Sequence, residues 1–135
     1  MDCVRKRLTT RKDEHNNDAI REFVGPGYSA IFGNNPPMNV DEWLGLSGMM
    51  YAAFLNGTHT FDEAFEIDDR VIVRGSFSGT HEGDFMGIPP TGNEITVTFL
   101  NLDRFEDGKL VEHRSEADML GLMQQVGAIP ANATS

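Results

Sequence analysis

The chain has little of what membrane-spanning and disulfide-stabilised proteins depend on. Its 135 residues include one cysteine, Cys3, so no disulfide can form within the chain, which is typical of a reducing compartment. No apolar run approaches the roughly 20 residues of a membrane-spanning helix. The start of the chain is basic but lacks the apolar stretch and cleavage site of a signal peptide. We therefore expect a cytoplasmic protein with no membrane partner.

Basic residues are scarce outside the first part of the chain. The formal net charge is −10, and five of the 11 lysine and arginine residues lie within positions 1–12. The remaining acidic body does not favour the phosphates of nucleic acids. The basic segment has no interleaved aromatic residue for stacking on bases, so it is better explained as a solvated helix face. We expect no nucleic-acid partner.

The residue pattern changes along the chain from helical to strand-like. Residues 3–24 predict a helix interrupted near His15 and stopped by Gly25-Pro26-Gly27, and residues 28–32 predict a short strand or an extended run. Asn39 or Asp41 caps a predicted helix that continues to about Asn56. Four strands are predicted after it, over residues 58–67, 70–80, 94–105 and 109–118. One α+β domain over residues 1–135, with helices on one face of a sheet, follows from this order.

The last predicted strand leads directly into a short helix. Asp107-Gly108 predicts a tight hairpin turn before the strand. Alternation then places Arg114, Glu116 and Asp118 on one face, and the period becomes helical from Met119 onwards. Such a polar face either meets water or lines a polar cavity if the sheet curls. Asp118 is also well placed to be the N-cap of the helix.

Several motifs in the second half of the chain resemble those of a known family when they are taken together. They are DRVIVR at 69–74, GTHEG at 79–83, GIPPTG at 87–92, RFEDGKLVEH at 104–113, and Asp118 followed by LGLMQQVG at 120–127. In this order and spacing they resemble the SnoaL-like polyketide cyclases and the related predicted ester cyclases. These families belong to the superfamily named after nuclear transport factor two. The resemblance covers about residues 40–130.

The resemblance implies a cone-shaped fold and a reaction. The fold is a curved antiparallel or mixed sheet wrapped around three N-terminal helices, usually a homodimer through the sheet. Its pocket would bind an apolar small molecule. Asp118 matches the family's acid–base aspartate, which acts in an intramolecular aldol closure without metal or cofactor. Arg114 departs from the family pattern, because an aromatic residue, often tryptophan, is usual there.

Two residues are the candidate catalytic groups. Burial in an apolar pocket would favour the protonated form of Asp118 and suit it to proton transfer, while Arg114 would either stabilise an enolate or pair with Asp118. No His-x-His or His-x-x-x-His spacing occurs, so no metal site is predicted. The candidate ligand-binding residues are Trp43, Met50, Phe54, His59, His81, Phe99 and Glu116.

The sequence thus predicts a small-molecule pocket protein with proton-transfer chemistry on a polyketide or other carbonyl compound, of the cyclase or isomerase type. The alternative is a non-catalytic ligand-binding or dimerisation module on the same fold. A hydrolase of an epoxide or ester is a third possibility, which would need a water molecule held by polar groups in the pocket.

Overall fold

The computed structural model describes residues 17–129, and within them a sheet is combined with three helices. The first helix was predicted over residues 3–24, and residues 3–16 of it lie outside the described residues. Within the described part, residues 17–23 are helical. The elements in chain order are α1 (Asn17–Phe23), β1 (Val24–Phe32), α2 (Val40–Ala53), β2 (Phe54–Ile67), β3 (Arg70–His81), β4 (Glu94–Glu106), β5 (Lys109–Ala117) and α3 (Met119–Gln125).

The five strands form one sheet in the order β1-β5-β4-β3-β2. Strands β2 to β5 are an antiparallel meander, and β1 adds to its edge in parallel with β5, so the sheet is mixed. The turn between β4 and β5 has positive φ at both Asp107 (51°) and Gly108 (76°), as a two-residue hairpin turn requires. The predicted α+β class, the four strands of the meander and this turn are confirmed.

The N-terminal part of the fold differs from the prediction at β1. Helix α1 ends at Phe23, and the next nine residues, which include Gly25-Pro26-Gly27, belong to a strand. Pro26 lies where the pairing of β1 with β5 shifts register, between Val24 and Ser29. A proline is tolerated there because β1 is an edge strand, so its missing N–H leaves no interior ladder bond unmade.

Helix α2 begins where the sequence predicts and ends earlier. Asn39 is the N-cap: its side chain accepts from the Glu42 amide at 2.9 Å, and the Glu42 carboxylate accepts from the Asn39 amide at 3.0 Å. The helix stops at Ala53, and Phe54 already pairs with His81 in β2. The predicted end near Asn56 is therefore wrong. Asn56, with φ of 59°, lies instead in an irregular part of the β2–β3 pairing.

The helices cover one face of the sheet, which we call the inner face. The core between them includes Phe54, Phe77 and Leu122. Along β4 every second residue is buried, and these residues are Ile95, Val97, Phe99, Asn101, Asp103 and Phe105. The opposite, outer face exposes apolar side chains such as Phe65 and Leu100. Two polar residues thus interrupt an otherwise apolar row of the inner face.

Candidate functional site

A cavity of about 680 Å³ lies between α2 and the inner face of the sheet. The loop before α2, the loop between β3 and β4 and the first residue of α3 complete its wall. Most of the wall is apolar, and its larger side chains are Phe32, Trp43, Leu46, Met49, Met50, Tyr51, His59, Phe77, Phe85, Met86, Phe99 and Met119. This volume and composition are typical of a site for a small organic molecule. The adaptable methionine side chains suit an irregular apolar ligand.

Four of the seven predicted ligand-binding residues line this cavity, and three do not. Trp43, Met50, His59 and Phe99 are in the wall. The other three are Phe54, His81 and Glu116. Phe54 is fully buried in the core against Phe85, and Glu116 is exposed on β5. Whether the four wall residues bind a ligand stays a prediction.

His81 is buried at the end of β3, where it anchors the following loop. Its Nδ1 accepts from the Thr91 amide at 3.3 Å and lies 3.0 Å from the Thr91 hydroxyl. The His81 amide and carbonyl also bond to Asn93 and Gly92. His81 is therefore not part of the described cavity wall, and its side chain anchors the loop that follows β3.

Asp118 and Arg114, the predicted catalytic pair, lie outside the cavity wall. Both are exposed. The Arg114 guanidinium bonds to Glu112 at 3.1 Å, and the Asp118 carboxylate accepts from the Gly121 amide at 2.9 Å as the N-cap of α3. Of the two alternatives for Arg114, Glu116 and Asp118, the structure shows the face that meets water, because the alternate residues of β5 form the inner face. Its cavity-lining members are Ser115 and Ala117.

The cavity wall contains one close pair of ionisable side chains. The Tyr51 hydroxyl lies 3.1 Å from His59 Nδ1. Tyr51 is in the last turn of α2 and His59 is in the first half of β2, so the reversal of the chain at Ala53 brings them together. The His59 ring packs against the rings of Phe77 and Phe99, with centroids 5.0 and 5.9 Å away. An imidazole is thus held in an aromatic surrounding.

A second group of polar side chains lies on the inner face. It consists of Asn101 and Asp103 on β4 and of Ser115 and His113 on β5. Asn101 is the cross-strand partner of Ser115, and Asp103 is the cross-strand partner of His113. The Asp103 carboxylate and His113 Nδ1 are 2.5 Å apart, and both side chains are buried. Trp43 packs on His113 with ring centroids 4.7 Å apart. Ser115 lines the cavity.

Three of these residues were missed by reasoning from the sequence. Asn101, Asp103 and Ser115 do not stand out as a motif. A signal was nevertheless present, since alternation along β4 puts Asn101 and Asp103 on the same face as Val97 and Phe99. Polar residues on an apolar face need polar neighbours. His113 is buried on the inner face, whereas Asp118 is exposed.

Within residues 17–129, no group of three or more histidine, cysteine, aspartate or glutamate side chains is arranged to hold a metal ion. In the same range no helix is long and apolar enough to cross a membrane.

Comparison with known proteins identifies the family. The model of the SnoaL-like polyketide cyclase family matches residues 3–126. Aklanonic acid methyl ester cyclase DnrD of Streptomyces peucetius is 39% identical over 133 residues, which cover 94% of this chain and 90% of that protein. These matches confirm the resemblance found in the sequence.

Solved structures share the fold. A SnoaL-like protein from Jannaschia sp. CCS1 superposes with a TM-score of 0.87 at 24% identity, covering 96% of this chain and 94% of that one. A protein of the nuclear transport factor 2-like type from Burkholderia pseudomallei gives a TM-score of 0.76 at 14% identity, covering 94% and 98%. At such identities the likeness concerns the fold alone, and it agrees with the predicted cone. With residues 3–126 matched by the family model, the chain belongs to the SnoaL-like polyketide cyclase family.

Proposed function

We propose that this protein catalyses an intramolecular aldol-type cyclisation of a polyketide-derived carbonyl compound. The observation that carries the proposal is the Tyr51–His59 pair in the wall of a largely apolar cavity. Relatives named aklanonic acid methyl ester cyclases support the reaction class. A flat, neutral polyketide ester suits a wall of aromatic and methionine side chains.

The reaction is a sequence of proton transfers around one new carbon–carbon bond. A base removes a proton from the carbon next to one carbonyl, and the resulting enolate carbon attacks a second carbonyl of the same molecule. The alkoxide formed there takes up a proton, so the product is an isomer of the substrate. No electron is gained or lost, and the chemistry therefore needs no redox cofactor.

His59 is the group that we assign to these transfers. Imidazole has an unperturbed pKa of about 6.5, so it can take and return a proton near neutral pH. The Tyr51 hydroxyl, 3.1 Å from Nδ1, orients the ring. The surrounding Phe77 and Phe99 rings keep water away from the developing enolate.

The test compares two candidate bases on one substrate. The purified protein is incubated with aklanonic acid methyl ester, and the cyclised isomer is followed by chromatography. Replacing the imidazole by His59→Gln is expected to lower kcat by roughly 10²- to 10⁴-fold, and Tyr51→Phe by less. Asp118→Ser keeps a helix-capping oxygen but removes the carboxylate, and we expect it to leave kcat within about twofold, because an exposed side chain outside the cavity contacts no substrate.

The opposite result would restore the base predicted from the sequence. If Asp118→Ser abolishes turnover while His59→Gln does not, the acid–base group is Asp118. If the wild-type protein binds the ester without converting it, the alternative of a non-catalytic ligand-binding protein is the better account. The exposed position of Asp118, outside the cavity wall, is the observation that keeps this alternative open.

A further inference from the structure

We infer that Ser115 and Asn101 form a binding site for a neutral oxygen atom of the ligand, a carbonyl or a hydroxyl. The Ser115 hydroxyl contacts this oxygen from the cavity wall, and the Asn101 amide supports Ser115 from behind. The inference rests on the proposed function only in requiring that the cavity binds a flat, oxygenated molecule. It requires no catalytic step.

The first observation is the state of Asn101. Its side chain is fully buried, at 0% exposure, and neither its amide nitrogen nor its amide oxygen has a hydrogen-bond partner among the described residues. Leaving such a group unbonded destabilises the folded state, and most buried amides in proteins are therefore bonded. The presence of an amide here indicates that a polar group of a ligand bonds to Asn101 or to the residue beside it.

The neighbour that can accept a bond from Asn101 is Ser115. The two residues are direct cross-strand partners, which places their Cβ atoms about 5 Å apart. A side-chain rotation then brings the Asn101 amide N–H to the Ser115 oxygen. A hydroxyl accepts one bond while it donates another, so Ser115 can pass the interaction on to an oxygen in the cavity that it lines.

The surroundings leave little other polar contact at this place. On one side Phe99 and Ala117 are the next cross-strand pair of the cavity wall. On the other side Asp103 and His113 bond to each other at 2.5 Å, and Trp43 packs on His113. A ring system lying beside Trp43 would therefore place one oxygen at Ser115 and apolar edges elsewhere. This contact would fix the orientation of the ligand.

The charge of the wall indicates a neutral oxygen. No lysine or arginine side chain is part of the described cavity wall, and its acidic member, Glu42, is engaged in the cap of α2. A carboxylate entering this site would lose its hydration without gaining a cation, which is strongly unfavourable. A quinone, ketone, ester or phenol oxygen needs a single hydrogen bond from Ser115.

The test uses two probes that differ in their oxygen atoms. 9,10-Anthraquinone and anthracene share a flat three-ring frame, and binding of each is followed by the fluorescence of Trp43, the chain's single tryptophan. We expect Ser115→Ala to lower the ratio of anthraquinone to anthracene affinity by roughly 2- to 12-fold, the equivalent of one hydrogen bond. Asn101→Leu, similar in volume, is expected to lower the ratio as well. Ser47→Ala removes the same atom from the α2 side of the wall and should leave the ratio unchanged.

The outcomes separate this inference from the proposed function. If Ser115→Ala and Ser47→Ala leave the ratio equally unchanged, no oxygen site exists at Ser115 and the amide of Asn101 is met by buried water. Should Asn101→Leu fail to fold, the Ser115→Ala and Ser47→Ala comparison still decides. A ratio that depends on Ser115 in a protein that never cyclises the ester would support the oxygen site and overturn the proposed reaction. Cyclisation with a ratio independent of Ser115 would do the reverse.

Discussion

At the scale of single residues, the position of a side chain on its strand decides what it does here. Ser115 and Asp118 are near neighbours in the sequence, yet Ser115 lines the cavity and Asp118 is exposed. The period of two along a strand sends successive side chains to opposite faces, so only one of the two sets faces the cavity. On β5 that set contains a histidine, a serine and an alanine, and the charged residues lie outside.

The helix-capping role of Asp118 gives a stability prediction. Asp118→Ala removes the acceptor for the Gly121 amide and should lower the free energy of unfolding by about 1 kcal/mol, whereas Asp118→Ser should recover most of it. The measurement is urea denaturation followed by circular dichroism, with Glu116→Ala as the control for loss of an exposed carboxylate from β5. An Asp118→Ala protein as stable as the Glu116→Ala protein would contradict the cap.

The buried Asp103–His113 pair should behave as a unit. Removing one member, as in Asp103→Leu, leaves the other buried without its bond and should cost about 3–5 kcal/mol. The double variant Asp103→Leu/His113→Phe fills the space with apolar groups and should regain much of that loss. Chemical denaturation of the two single variants and the double variant measures the coupling. Strictly additive losses would show that the two side chains do not depend on each other.

At the scale of elements, α2 is the one that closes the cavity. It carries Trp43, Met50 and Tyr51, three residues of the wall. Its start is set locally by the capping box of Asn39 and Glu42, while its end is set by the pairing of Phe54 with β3. Any change that loosens the first turn therefore acts on the wall of the cavity as well as on stability.

The capping box can be tested by a pair of variants. Asn39→Ala should lower the free energy of unfolding by about 1 kcal/mol, because it leaves the Glu42 amide without its acceptor. Asn39→Asp keeps the acceptor and should stay within about 0.5 kcal/mol of the wild type. Thermal unfolding checks the stability, and the affinity for anthracene checks the wall. Equal stability of the two variants would contradict a contribution of the cap.

At the scale of the whole molecule, the outer face of the sheet is the feature that the cavity does not explain. Phe65, Ile67 and Leu100 expose about half of their surface there, at 55%, 57% and 51%. Leu100 lies between Arg74 and Glu116 in neighbouring strands. Apolar side chains rimmed by opposite charges are typical of a protein–protein interface. A homodimer through this face is what the sequence resemblance implies, and we propose it.

Introducing a charge into the apolar outer face tests the dimer. Leu100→Arg puts a cation into the centre of the outer face and should convert a dimer into a monomer in sedimentation velocity. Leu120→Arg makes the same substitution at a leucine of similar exposure (46%) on α3, and should leave the association state unchanged. A wild-type protein that sediments as a monomer at all accessible concentrations would refute the proposed interface.

Local signals in the sequence predicted much of the fold. Three strands were predicted from alternation, over residues 70–80, 94–105 and 109–118, and all three are present. The Asp107-Gly108 turn and the Asn39 cap are present as well. Each depends on near neighbours, since backbone propensity and capping act within a few residues. The cone-shaped sheet and its cavity were predicted from the family motifs alone, because no local residue pattern specifies how the sheet curves.

The positions of the site residues were decided by tertiary structure. The sequence determined that β5 has a polar and a less polar face, but which face meets α2 depends on how the whole sheet packs. The pairing of Tyr51 with His59 and that of Asn101 with Ser115 join residues from different elements. Such contacts arise from the burial of apolar surface over the entire domain, and burial is a property of the packed chain rather than of any segment.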